Sequence, residues 1–153
     1  MKLAEALQER ADLNIRIQQL KSRMENSAIV QEGESPSENP SALQSELDDS
    51  LSRLTWLIGR INLTNCSTSV NGMTLTEMIA QKDALSLKLS IYRNLVSTAG
   101  HCAYRARQTE IKVLPTIPVA ELQKKVDSMA KELRLLDNQL QQTNWTTDLI
   151  EKS

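Results

Sequence analysis

No phenylalanine occurs in these 153 residues, and Trp56, Trp145, Tyr92 and Tyr104 are the only aromatic side chains. Large rings dominate sheet cores and line ligand pockets, so their scarcity argues against both. With four glycines and four prolines the chain has few turns, which excludes a fold of many short strands. Histidine occurs once, as His101 beside Cys102, and the only other cysteine is Cys66. Neighbouring residues seldom share a geometry in which one activates the other. A structural zinc site needs four ligands at spacings absent here. No glycine-rich phosphate loop, serine elbow or DxD-like cluster appears, and Asp48-Asp49 reads as a solvated helix start. No catalytic residue, metal ligand or cofactor is therefore expected.

Long apolar runs are missing too: nothing approaches the 18 residues or so of a membrane-spanning helix. The opening "MKLAEALQERADLN" is amphipathic and lacks a secretory h-region, so a cytoplasmic protein is expected, with no membrane as partner. The formal net charge is only −1, which gives no global field for nucleic acid. Charge is uneven locally, however. Residues 31–49 hold six carboxylates and no cation, whereas 88–112 hold Lys88, Arg93, Arg105, Arg107 and Lys112 against Glu110 alone. Such runs usually form solvated surface; patches of opposite sign also suit a contact between subunits.

Leucine supplies most of the 40% hydrophobic content, among abundant Ala, Gln, Glu, Lys and Arg. That is the composition of long helices packed through narrow seams. Leu3, Ala6, Arg10, Leu13, Ile17, Leu20 and Met24 step by three and four, predicting a first helix over about 2–26, with Leu7 and Ile15 widening its buried face. The acidic "QEGESPSENP" then predicts an exposed loop over 31–40. Ser41 and Gln44 resemble a capping box for a second helix carrying Leu43, Leu47, Leu51, Leu54, Leu57 or Ile58, and Ile61 to about Asn65. Thr74 and Glu77 form another, opening a third helix through Leu75, Met78 or Ile79, Leu85, Leu89, Tyr92 and Val96 to about Gly100. The last begins near Pro118, where Leu122, Val126, Met129, Leu133, Leu136 and Leu140 alternate steps of four and three. That spacing predicts a coiled-coil seam, serving as core or as interface.

The fold class expected is all-α: long antiparallel helices, as helical hairpins or a four-helix bundle, in one elongated domain spanning 1–153. Around 104–114 the pattern changes. Arg105, Arg107, Ile111 and Val113 alternate with their neighbours as in a half-exposed strand, although no obvious second strand exists to pair with. This segment is read as a solvated connector, as a hairpin with the polar 66–73 turn, or as a strand pairing with another copy. Two polar clusters end helices two and four: Arg60, Asn62 and Asn65 in "GRINLTN", and Asn144 and Trp145 in "QTNWTTD". Polar residues closing a leucine seam fix register or oligomeric state; they could also form a small ligand site.

The segments "LIGRINLTN", "TEMIAQKDALSLKLSIYRNL" and "TEIKVLPTIPVAELQKKVDSMAKELRLLDNQLQQTNWTTDL" resemble the small bacterial family identified as septicolysin, and the resemblance covers almost all of the chain. It implies an all-helical, intracellularly made protein with no catalytic residues to transfer, and its name implies a membrane-damaging activity. The residues themselves point elsewhere. A transmembrane strand needs an apolar outer face, yet both faces of 104–114 carry charge. The expectation is a non-enzymatic homo-oligomeric scaffold or adaptor, with a second copy or another protein as its partner. The alternatives are a pore-forming toxin and a small-ligand binder using the polar helix ends.

Overall fold

Among the described residues four long helices account for most of the chain, and the first three begin where a cap offers acceptors for the amides that a helix leaves unpaired. The computed structural model describes residues 1–101 and 111–152. α1 (Leu3–Ser27) starts after Lys2, whose backbone N–H donates to the Glu5 carboxylate at 2.6 Å. α2 (Pro40–Ser67) is capped two residues earlier than expected: Asn39, not Ser41, is the N-cap, its Oδ1 accepting from the Ser41 N–H at 3.0 Å. Pro40 explains the shift, because its fixed φ and missing N–H suit the first helical position.

β1 (Ser69–Val70) and β2 (Met73–Thr74) form a minimal hairpin around Asn71-Gly72, with φ of 53° and 82°. Two consecutive left-handed residues are what a tight turn matching strand twist requires, and Asn-Gly is the pair that tolerates it best. The two sides of the polar turn thus pair with each other. α3 (Leu75–Gly100) follows, with the capping box of Thr74 and Glu77 that the sequence predicts. α4 (Val119–Thr146) starts directly after Pro118. Residues 111–114 form no strand; Ile111 is 75% exposed. Arg105 and Arg107 lie outside the described residues.

The chain divides into two compact units, one of Met1–Val70 with Thr143–Ser153 and one of Asn71–Gln142. In the first, α1 and α2 run antiparallel. Glu9 meets Arg53, Arg16 meets Glu46, and Arg23 meets Glu38, so the partner's number falls along α2 as it rises along α1. Leu3, Ala6 and Leu20 of α1, Leu43, Leu57 and Ile61 of α2, and Leu149 make up its buried apolar residues, together with Ala4. On α2 the fully enclosed line is Leu43, Ser50, Leu57 and Thr64, one residue per heptad. Leu51, expected in the stripe, is exposed, as is Ile15 on α1. Small hydroxyl residues occupy that line because they let a neighbouring helix approach closely, and each satisfies its hydroxyl on the carbonyl four residues back: Ser50 on Glu46 and Thr64 on Arg60.

In the second unit, Leu89 of α3 packs with Val126 and Met129 of α4, flanked by Leu85, Tyr92, Val96, Ala130 and Leu133. Lys82 of α3 reaches Asp137 of α4 at 2.6 Å while Val96 joins Val126, so these helices are antiparallel as well. No helix among the described residues is long and apolar enough to cross a membrane.

Candidate functional site

The polar end of the first unit is organised around a residue that the hydropathy pattern passes over. Thr64 is fully buried; its hydroxyl donates to the Arg60 carbonyl at 2.8 Å and accepts from the Ile150 N–H at 3.0 Å. Residues 147–149 lie beside the start of α1, with Leu3 N–H donating to Thr147 O and Leu149 N–H to Met1 O, both at 2.9 Å. Lys2 pairs with Asp148 at 2.7 Å and holds that carboxyl below its ordinary range, by hydrogen bond first and charge second. This is a clasp of main-chain bonds, with no nucleophile or acid–base pair assembled by it. Arg60, Asn65 and Asn144 are half-buried, Asn62 is exposed, and Trp145 is 51% exposed. On a helix, Asn62 points about 200° away from Arg60; the sequence signal that joined them was adjacency, not a shared face.

Along the α1–α2 hairpin, Arg53 lies 4.6 Å from the Trp56 ring centre and bonds both oxygens of Glu9, at 2.6 and 2.8 Å. That hydrogen bond, more than charge, draws the Glu9 carboxyl down, and Arg23 does the same to Glu38. These pairs set register.

In the second unit the seam residues Leu122, Val126, Met129 and Leu140 are buried, and Leu133 and Leu136 half-buried. Val126, Met129 and Leu133 meet α3 of the same chain, so that stretch of seam is core. Two features of α3 remain open to partners. Beside the core, Lys82, Ser86 and Arg93 of α3 and Arg134 and Asp137 of α4 rim a groove of about 410 Å³, floored by Leu89, Ala130 and Leu133. Away from the core, Ala80, Ala84, Leu87 and Ile91 form an exposed apolar stripe, Leu87 at 63% and Ile91 at 55% exposure. The stripe was legible as spacings of four, three and four, masked by a stronger stripe on the opposite face. The groove was not, since its cations come from two helices. Val113 lines a smaller cavity of about 200 Å³ with Leu95, Thr98, Leu114 and Ile117. Among the described residues no three His, Cys, Asp or Glu side chains converge as metal ligands.

A predominantly helical protein with an exposed apolar stripe and a cationic groove on α3 is what these features describe. The chain belongs to a family of unknown function, DUF6847, whose model matches residues 10–149. A solved structure similar to it is the crystal structure of a functionally unknown conserved protein from Corynebacterium diphtheriae, 39% identical, covering 97% of this chain and 98% of that one with a TM-score of 0.93. No curated protein matches. These findings overturn the resemblance to septicolysin: the family matched is one of unknown function, the similar structure is of a functionally unknown protein, and neither points to a septicolysin family. The membrane-damaging reading is withdrawn with it.

Proposed function

We propose that this protein is a non-enzymatic scaffold or adaptor that works as a homodimer, joined through the exposed face of α3. One observation carries this reading. The stripe is self-complementary in size, with small Ala80 and Ala84 in its N-terminal half and large Leu87 and Ile91 in its C-terminal half. Exposed apolar patches of this kind mark interaction sites, and two antiparallel copies would set Ala84 against Leu87 and Ala80 against Ile91, large upon small, as close packing demands. The two-fold symmetry of an isologous contact then repeats each layer.

A parallel pairing is weaker on magnitudes. It would gain rim ion pairs between Asp83 and Lys88, each worth about 0.2–1 kcal/mol at exposed sites. Against this, it stacks Ala on Ala at two layers, leaving voids that cost ~1 kcal/mol each, and opposes Glu77 to itself. Val126, Met129 and Leu133 of the α4 seam pack against α3 of the same chain, which favours the exposed α3 face over that stretch of seam for assembly. A cytoplasmic setting, where the exposed Cys66 thiol persists reduced, goes with this reading.

The test is Leu87→Glu with Ile91→Glu. The expected result is a monomer by light scattering with undiminished helical circular dichroism; a mass equal to that of the unaltered protein overturns the proposal. In a background with both cysteines changed to serine, a mixture of Ala84→Cys and Leu87→Cys chains should form a mixed disulfide. Cross-linking by Leu87→Cys alone would show the parallel arrangement instead.

A further inference from the structure

The groove between α3 and α4 holds three cationic side chains, Lys82, Arg93 and Arg134, against one carboxylate, Asp137. Asp137 is engaged, accepting from Lys82 Nζ at 2.6 Å, which leaves the two guanidiniums as the uncompensated charge of the groove. Among the described residues neither Arg93 nor Arg134 has an ion-pair partner. This sets them apart from Arg16, Arg23 and Arg53, each bonded to a glutamate. Two like charges on the α3 and α4 sides of one groove repel one another, and an anion seated between them removes the repulsion. Guanidinium forks match tetrahedral phosphoryl oxygens bidentately. The Ser86 hydroxyl adds a neutral donor on the α3 side, and Leu89, Ala130 and Leu133 give an apolar floor for an organic substituent.

We infer that this groove is a binding site for a small phosphorylated ligand, its phosphoryl group held by Arg93 and Arg134 and its organic part lying over Leu89 and Leu133. The Lys82–Asp137 pair closes one end and fixes the separation of the helices. This site faces away from the apolar stripe, so ligand and second copy do not compete, and the inference stands independently of the dimer.

Pyrophosphate and a phosphomonoester such as glycerol phosphate are suitable probes, titrated calorimetrically into the full-length protein at constant ionic strength set with chloride. The expected result is saturable binding at one site per chain, weakened at least about tenfold by Arg93→Gln or Arg134→Gln, as the loss of a charge-assisted hydrogen bond implies. Lys131→Gln, an exposed change on the same helix, should leave it unaltered. All three positions are exposed, and melting curves establish that each variant is folded. Binding that chloride reproduces, or that survives both arginine changes, overturns the inference, as does no heat with either probe. Pyrophosphate binding alone, without the monoester, would overturn the claim on the apolar floor.

Discussion

Thr64 shows how much of this fold rests on side chains that hydropathy ignores. Its hydroxyl serves two main-chain groups at once, the Arg60 carbonyl and the Ile150 amide. Thr64→Val should therefore destabilise the protein by about 1–3 kcal/mol, the cost of an unpaired buried amide, while Thr64→Ser should cost less; urea unfolding of the pair measures the difference. Leu57, buried without residual exposure, should cost about 2–5 kcal/mol as Leu57→Ala. The sequence pattern identified Leu43, Leu57 and Ile61 correctly but followed leucine to Leu51, where the packed line continues through Ser50. Charge acts at this scale too. Glu9, Glu38 and Asp148 have carboxyls held below their ordinary values by Arg53, Arg23 and Lys2. A depressed carboxyl contributes stability that is complete above its unfolded value and vanishes as pH falls through the folded one. The melting temperature should hence be nearly level above the ordinary Glu value of 4.5 and fall on acidification below it. Neutralising Glu9 and Glu38 to Gln should flatten that fall.

At the scale of elements, the helices were readable because each carries both a period and a start signal. The Thr74–Glu77 capping box and Pro118 placed two starts correctly, and Asn39 displaced Ser41 only because Pro40 already fills the first helical turn. The Asn71-Gly72 hairpin was seen as a turn but not as strands, since two residues a side carry no alternation to detect. Gly72 has a φ of 82° with open space around it, so the obstacle to a side chain there is the backbone alone. Gly72→Ala should cost about 1–2 kcal/mol, whereas Gly59, helical and also uncrowded, should gain stability as Gly59→Ala by about 0.5–1 kcal/mol. Comparing the two midpoints in urea tests both signs. Of the 104–114 alternation only Ile111 to Leu114 lie among the described residues, and these form no strand: period two is necessary for a strand but does not by itself make one.

For the molecule as a whole, assembly is the property that separates the readings. A dimer held by Leu87 and Ile91 should keep its mass when salt rises from about 0.05 to 1 M, because apolar burial is not screened whereas exposed charges are. Light scattering after size exclusion at both salts decides this. Dissociation in high salt would move the contact to the acidic 31–49 and basic 88–112 patches. The clasp between residues 1–3 and 147–150 has a consequence of another kind. The unit that the ribosome begins first is completed last, since Thr64 and the start of α1 must wait for residues 147–150, while residues 71–142 between them close on their own partners. At roughly 5–20 residues per second, the α1–α2 hairpin stands for several seconds without the segment that seals its end. Synthesis therefore leaves the early part of this chain exposed the longest, and a chaperone that binds it should prefer nascent chains ending before residue 147 to finished ones.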